Sequence, residues 1–263
     1  METQHVPVLL AETVEALQCR TNGIYLDATL GSGEDSRQFA IRYGVSEEKA
    51  LCLRHSIDVE HFSSSYHMHF PTREVIRNEL GVTGTVFIYV GRLWWGKGIN
   101  YLLNAFDQVQ QSTSREVSLL LVGDGPEEKA LRDICAERDI RNVIFAGFHQ
   151  KGELPRFYAA ADVFVFPTLG DPYGLVVDEA MACSLPIIST RAAGEISDRV
   201  EDGINGYIVP PEDSDALAKS MLTLVNNPEI RDMMAKVSAV KIAGHTPDQW
   251  AEDFERIAFR LLK

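Results

Sequence analysis

The chain has 263 residues, 45% of them hydrophobic and 24% charged, which is typical of a soluble globular protein with one large or two small domains. Its formal net charge of −13 argues against binding to nucleic acid, since contacts with phosphates require a positive surface. With no apolar run long enough to cross a bilayer, no signal-peptide pattern and no CxxC pair among the four cysteines, we expect a cytoplasmic protein with reduced thiols.

Residues 5–37 predict a short helix, a strand and a loop. The strand Ile24–Ala28 contains Asp27 near its end, and Gly31 and Gly33 follow in the loop. A strand that ends in an acid and leads into glycines is common at the start of nucleotide and S-adenosylmethionine sites. One strand and one loop are too little to bury a core, so we expect an extra strand and helix beside the main domain. Real S-adenosylmethionine binding and a poorly packed or disordered arm are the alternatives.

Two runs in this segment, HVPVLL and YLDATLG, resemble the opening of the bacterial ribosomal small-subunit RNA cytosine-N4 methyltransferases. The resemblance implies that the loop glycines lie against the methionine part of the cofactor. Glu34 and Asp35 stand where that family usually has Gly-His. Nothing after residue 37 continues the resemblance, and a fused or recombined gene product would explain the change.

Residues 38–81 predict a hinge or linker region. Glu47–Phe62 holds a short apolar strand and a turn, and Thr72–Leu80 predicts a short helix with Thr72 as its cap. Three histidines cluster at His61, His67 and His69. Because no cysteine or placed carboxylate accompanies them, we expect a solvated linker rather than a metal site.

Strands and helices alternate through the next stretch of the chain. Apolar runs predict strands at Thr85–Val90, Val117–Val122, Val143–Ala146, Asp162–Phe166, Pro186–Ser189 and Tyr207–Val209. Such alternation favours a parallel sheet with right-handed crossovers. The prediction is an α/β fold, a Rossmann-like doubly wound parallel sheet of about six strands, with residues 82–263 as its domain and residues 1–37 as an amino-terminal helix-strand extension.

Two cations follow the first of these strands. The strand ends in Gly91-Arg92, and Lys97 opens the next helix. Both therefore fall at the carboxyl edge of the predicted sheet, where open α/β sheets bind their ligands. The planar fork of arginine and the mobile charge of lysine suit a pyrophosphate, while two ordinary surface cations are the alternative.

The run GDPYGLVVDEAMAC, residues 170–183, follows the fourth strand and opens a buried helix. Asp171 precedes the predicted helix start at Gly174, and Glu179 lies five residues beyond it. A helix N-terminus offers free N–H groups and a positive dipole end to phosphate, and the two acids can accept hydrogen bonds from hydroxyl groups. The combination predicts a nucleotide-sugar site. An acid that merely favours the helix start and a solvated helix position are the alternatives.

Several motifs occur in an order that is more specific than any one of them. GRLWWGKG, LLLVGDGP, GDPYGLVVDEAMAC and DGINGYIVPPED resemble the carboxy-terminal, nucleotide-sugar-binding lobe of the retaining glycosyltransferases of the GT-B fold, family four. The resemblance extends over residues 38–263. It implies transfer of a hexosyl group from a UDP- or GDP-linked sugar, with no cofactor and no metal.

The resemblance also implies roles for matching positions. The implied catalytic groups are Arg92, Lys97 and Asp171. Arg92 and Lys97 would hold the diphosphate, and Asp171, where the family usually has Glu, would hold the donor-sugar hydroxyls. Glu179 would hold the ribose. The other implied donor-binding residues are Gly91 and Tyr173, Phe148 and Leu154 at the base pocket, and Gly174 and Leu175 through their N–H groups.

Glycosyltransferases of this type have an amino-terminal lobe that binds the acceptor, and residues 1–37 do not resemble it. We therefore expect a donor half-site open to water, with an unknown acceptor and slow transfer or none by this chain alone. The alternatives are a non-catalytic nucleotide-sugar-binding module, half of a split enzyme and, remotely, an S-adenosylmethionine-dependent RNA methyltransferase. The apolar face of the last helix is expected to be exposed, to cover the amino-terminal segment, or to meet a partner lobe or a second copy; it comprises Trp250, Phe254, Ile257 and Leu261.

Overall fold

The computed structural model describes residues 55–261, together with Ile41, Ser46 and Glu47. Asp27, Gly31 and Gly33, on which the methyltransferase resemblance rests, lie outside the described residues. Six parallel strands form one sheet in the order β3-β2-β1-β4-β5-β6. The strands are β1 (Thr85–Val90), β2 (Val117–Val122), β3 (Val143–Gly147), β4 (Val163–Phe166), β5 (Ile187–Thr190) and β6 (Gly206–Val209). The predicted α/β, doubly wound parallel sheet is confirmed.

The centre of the sheet is β1, which pairs with β2 on one side and with β4 on the other. All six residues of its sequence TVFIYV are buried. Helices cover both faces of a parallel sheet, so a continuous apolar run is the expected pattern for its central strand. Strand order reverses between β1 and β4, and such a switch point leaves a crevice at the carboxyl ends of the strands.

Helices cover the sheet and connect its strands. They are α1 (Val59–His69), α2 (Arg73–Leu80), α3 (Ile99–Ser112), α4 (Glu128–Glu137), α5 (Leu154–Ala160), α6 (Leu175–Ala182), α7 (Ile196–Arg199), α8 (Ser214–Asn226), α9 (Pro228–Ile242) and α10 (Pro247–Leu261). Short 3-10 turns precede α2, α3 and α5. No helix within the described part of the chain is long and apolar enough to cross a membrane.

Helix α1 differs from the solvated linker predicted there. Asp58 caps it by accepting a hydrogen bond from the His61 N–H at 2.9 Å. Phe62 and Tyr66 are buried on one face, and Phe62 meets the Tyr158 ring edge-on at 6.2 Å. Apolar residues four apart share a helix face, and here that face packs against α5 and α6. Among the described residues no three His, Cys, Asp or Glu side chains form a metal-binding group.

Helix α2 is joined to the amino edge of the sheet by a partly buried charge cluster. The Asp162 carboxylate accepts hydrogen bonds from Arg73 at 2.9 Å, from Arg77 at 2.6 Å and from the Val86 N–H at 2.8 Å. Arg77 also donates to the Ala160 carbonyl at 2.9 Å. Thr72, predicted as the side-chain cap, precedes α2 but donates its hydroxyl to His69 instead.

The last helix, α10, is only partly covered. The Trp250 and Phe254 rings stack with centroids 5.5 Å apart, and Trp250 is 39% exposed. Ile257 is half-buried, whereas Phe259 is exposed. The Leu261 side chain lies outside the described residues. What covers this face in solution stays a prediction.

Candidate functional site

The candidate site lies at the switch point, where the loops after β1 and β4 meet. The Leu169 N–H donates to the Gly96 carbonyl at 3.0 Å, and the Thr168 hydroxyl donates to the same oxygen at 3.2 Å. Gly98 has φ +66°, and a Cβ there would lie 2.1 Å from the Pro167 carbonyl oxygen. Only glycine permits this approach of the two backbones. The crossing holds the start of α3 against the end of β4.

Lys97 and Asp171 are brought together by this crossing. The Lys97 ammonium contacts the Asp171 carboxylate, and the two side chains are only 19% and 14% exposed. The second carboxylate oxygen accepts a hydrogen bond from the Tyr173 N–H at 3.0 Å. A partly buried ion pair of this kind is worth more than a surface pair, because solvent screens it less. Asp171 thus joins the cation of the β1 loop to the backbone of the β4 loop.

Arg92 lies in the same loop after β1 as Lys97, and it is exposed. Its side chain makes no hydrogen bond or ion pair with another residue of the range 55–261. Its backbone is fixed, since its carbonyl accepts a hydrogen bond from the Tyr89 hydroxyl at 3.0 Å. Burial raises the pKa of Tyr89, so that hydroxyl keeps its proton and remains a donor. Gly91 is held by a 2.9 Å hydrogen bond from its N–H to the Val122 carbonyl.

The start of α6 lies next to Asp171. Gly174 caps the helix in a left-handed conformation, φ +76°, and Leu175 is 43% exposed. Within residues 55–261 neither the Gly174 nor the Leu175 N–H has a hydrogen-bond acceptor. Free N–H groups at a helix start, in the loop whose Asp171 contacts Lys97, form an arrangement that can bind phosphate.

Glu179 lies deeper than the other predicted site residues. It is 7% exposed, and its carboxylate accepts a hydrogen bond from the Tyr158 hydroxyl at 3.1 Å. Burial raises the pKa of Glu179 to about 7, although the Tyr158 hydrogen bond and the charge of Lys151 oppose the shift. Its carboxyl group therefore keeps its proton to a higher pH than an exposed glutamate does.

The remaining predicted residues fall into two groups. Phe148 follows β3 and is 62% exposed, whereas Leu154 opens α5 and is buried in the core. Tyr173 is buried, with its ring 4.4 Å from the His55 ring.

The sequence prediction missed Arg199, which is 1% exposed at the end of α7. It forms an ion pair with Asp178 of α6, which is also buried, at 3.1 Å. The only signal in the sequence is that Arg199 lies between two apolar residues, Ile196 and Val200. A sequence does not distinguish such an arginine from one on an exposed helix face.

Comparison with known proteins gives the family. The family model described as "Glycosyl transferases group 1" matches residues 84–227, which include Arg92, Lys97, Asp171 and Glu179. The chain belongs to this family of glycosyltransferases. A second family model, described as the MraW methylase family, matches residues 2–53, nearly all of which lie outside the described residues.

Two curated relatives of this group 1 glycosyltransferase illustrate its range. An uncharacterized glycosyltransferase of Methanocaldococcus jannaschii is 32% identical over 145 residues, which is 54% of this chain and 36% of that protein. The alpha-D-kanosaminyltransferase of Streptomyces kanamyceticus is 28% identical over 155 residues, 59% of this chain and 40% of that protein. The chain thus spans well under half the length of these relatives.

Solved structures share the fold. Anabaena HepE in complex with UDP and glucose superimposes with a TM-score of 0.71 at 24% identity, over 89% of this chain and 62% of that chain. Sucrose-phosphate synthase from Thermosynechococcus elongatus gives a TM-score of 0.68 at 24% identity, over 88% and 57% of the two chains. The described residues therefore have the Rossmann-like architecture of a GT-B lobe.

Proposed function

We propose that this glycosyltransferase binds a UDP- or GDP-linked sugar at the switch point and transfers its hexosyl group, with retention, to an acceptor. The observation that carries the proposal is the Lys97–Asp171 pair, which joins the loop that carries Arg92 to the loop that leads into α6. Cations, free N–H groups and a carboxylate within one crevice match the diphosphate and hydroxyls of a nucleotide-sugar. Complexes of HepE with UDP and UDP-glucose support a UDP-linked donor.

In this mechanism Arg92 and Lys97 bind the diphosphate and stabilise its charge as the sugar leaves, so that no metal ion is required. The diphosphate competes with Asp171 for the ammonium group of Lys97. Asp171 then accepts hydrogen bonds from the donor-sugar hydroxyls, which replace its contact with the lysine. The N–H groups of Gly174 and Leu175 bind phosphate or sugar oxygens, and Glu179 binds the ribose. Differential stabilisation of leaving-group charge accelerates such a transfer.

Calorimetric titration with UDP and GDP in the presence of EDTA tests the donor site. Lys97→Ala is expected to weaken binding of the preferred nucleotide by about 1–3 kcal/mol, the range for charge-assisted hydrogen bonds. Lys129→Ala is the matched control, because Lys129 is an exposed lysine that pairs with Asp133 on α4. Absence of binding to either nucleotide at millimolar concentration would sink the donor site. Affinity that depends on an added metal would contradict the metal-free mechanism.

A second function is a nucleotide-sugar-binding module without catalysis, or half of a split enzyme. It is favoured by the position of the proposed donor groups in the loops and helices of one described sheet domain. Release of nucleoside diphosphate from a nucleotide-sugar, assayed with a panel of sugar and lipid acceptors, distinguishes the two functions. Donor binding without release supports the module.

A further inference from the structure

All three guanidinium nitrogens of Arg199 donate hydrogen bonds to other groups of the protein. Nη1 donates to the Gly174 carbonyl at 3.1 Å and to Asp178 at 3.1 Å. Nη2 donates to the Tyr173 carbonyl and, at 2.9 Å, to the Gly194 carbonyl, while Nε lies 3.5 Å from the Glu195 carbonyl. The guanidinium carbon also lies 4.0 Å from the centre of the Tyr173 ring. A planar fork with five N–H donors suits such a set of acceptors, whereas an ammonium group does not.

The acceptors of Arg199 belong to two loops. Tyr173 and Gly174 end the loop after β4, and Gly194 and Glu195 end the loop after β5. The same loops are joined by their backbones: the Asp171 N–H donates to the Ala192 carbonyl at 3.3 Å, and the Gly194 N–H donates to the Asp171 carbonyl at 2.8 Å. Arg199 therefore binds the same two loops whose backbone hydrogen bonds hold Asp171, the proposed sugar-binding acid.

The orientation of the Tyr173 and Gly174 carbonyls fixes the orientation of the N–H groups in the same peptide bonds. In a planar trans peptide the C=O and the N–H point in opposite directions. When Arg199 holds the Tyr173 and Gly174 carbonyls toward the interior, the N–H groups of Gly174 and Leu175 must point away from it. These are the two N–H groups without an acceptor among the described residues.

The charge of the pair is also informative. Arg199 and Asp178 are both at least 99% buried, and desolvation of two charges offsets much of their mutual attraction. Replacing such a pair with apolar side chains is often neutral or stabilising, so stability alone gives little reason for its presence. What the apolar replacement could not do is hold four backbone carbonyls at once.

We propose that Arg199 is a positioning residue for the donor site, which fixes the loop after β4 so that the Gly174 and Leu175 N–H groups face the diphosphate or sugar. It contacts no substrate and acts through the backbone. The proposal rests on the proposed donor site for its effect on ligand binding, but the effect on the loops is independent of any ligand.

Arg199→Lys tests it, since lysine keeps the charge beside Asp178 and loses the fork. We expect UDP affinity to fall by about tenfold, because the two loops lose hydrogen bonds between a charged group and their carbonyls. UMP affinity should change by less than about threefold. Amide hydrogen exchange without nucleotide should rise in residues 170–176 and 192–196. Equal losses for UDP and UMP, or unchanged exchange in both loops, would overturn the proposal.

Arg77→Lys is the matched control. Arg77 is 13% exposed and also binds a carboxylate and two carbonyls, but at the amino edge of the sheet. It should lower thermal stability without raising exchange in residues 170–176. If Arg199→Lys does not fold, Arg199→Met combined with Asp178→Leu removes both charges, and it must show the same loop exchange and the same selective loss of UDP for the proposal to stand.

The experiments distinguish a failure of the proposed function from a failure of the proposed role of Arg199. If the unaltered protein binds no nucleotide, the proposed function is wrong, and hydrogen exchange alone then decides whether Arg199 positions the loops. If the protein binds UDP and Arg199→Lys binds it equally well, the donor site stands and the role of Arg199 is wrong.

Discussion

Asp171 and Glu179 are the two acids of residues 170–183 that were predicted to bind the donor, yet their surroundings differ. Asp171 is paired with a lysine at the crevice, and Glu179 is buried against a tyrosine. Spacing in the sequence predicted both as hydrogen-bond acceptors for a ligand, but spacing does not report the depth of a side chain. Burial makes Glu179 the acid whose ionisation is coupled to folding.

Glu179→Gln should change the pH dependence of stability. The pKa of Glu179 is raised from 4.5 to about 7, so the folded state holds a proton that the unfolded state has lost between these values. Stability therefore falls as pH rises through this window, by a total of about 3 kcal/mol, and is level above it. The glutamine variant should lack this fall and be the more stable protein at pH 8.

Urea unfolding at several values between pH 5 and pH 8 measures the effect. Glu137→Gln, at an exposed position of α4, is the control and should show the same pH profile as the unaltered protein. A difference between the Glu179 variant and the unaltered protein that stays constant over this range would contradict the raised pKa.

The sequence predicted individual residues of the candidate site but not the contacts between them. Arg92, Lys97 and Asp171 were predicted separately, and the structure brings Lys97 and Asp171 into contact because Gly98 allows two loops to cross. Arg199 was missed because its partners are backbone carbonyls, and a carbonyl has no sequence signature. The ligand roles of all these residues stay predictions.

Among the elements, the strands were predicted most closely. The bounds of β1 and β2 agree with the prediction, because each is a mostly apolar run that is followed directly by a glycine. Helix α1 was missed because polar histidines and serines surround its few buried residues, which are Val59, Phe62 and Tyr66. Its helical period is visible only when the packing partner on α5 is known.

The start of α6 depends on glycine at one position. A Cβ at Gly174 would lie 2.7 Å from the Phe166 ring, and the φ of +76° disfavours any L-residue. Gly174→Ala should therefore lower the free energy of unfolding by about 2–4 kcal/mol, from backbone strain together with overpacking.

Guanidinium unfolding of this variant and of Gly170→Ala provides the comparison. Gly170 lies in the same loop, and a Cβ there would meet nothing within 4 Å. The two variants should differ by most of the predicted loss. If both are equally stable, Phe166 and the loop adjust freely and the start of α6 is not rigid.

The full chain has a strongly negative net charge and an amino-terminal segment that matches a different protein family. The net charge is −13, and residues 2–53 match the MraW methylase family. Only the sheet domain could be predicted in detail, since alternating strands and helices fix a topology, whereas a single strand and loop do not. The position of residues 1–40 relative to that sheet lies outside the described residues.

The charge predicts that the full chain does not bind RNA. Fluorescence anisotropy with a labelled ribosomal RNA hairpin at about 0.15 M salt should show no saturable binding, because few phosphates can be neutralised by so acidic a protein. The same titration with S-adenosylmethionine present is the control for a cofactor-dependent site. Saturable binding that weakens steeply with salt would revive the RNA methyltransferase alternative.

The backbone bonds between Asp171 and residues 192–194, with Arg199 beneath them, limit how donor specificity can diverge. Loops at the carboxyl edge of a parallel sheet are commonly treated as interchangeable parts on a constant frame. Here the loops after β4 and β5 share one set of hydrogen bonds, so a change in the backbone of either alters the other. For the proposed donor site, a new sugar preference therefore requires residues 170–199 to be exchanged as one block.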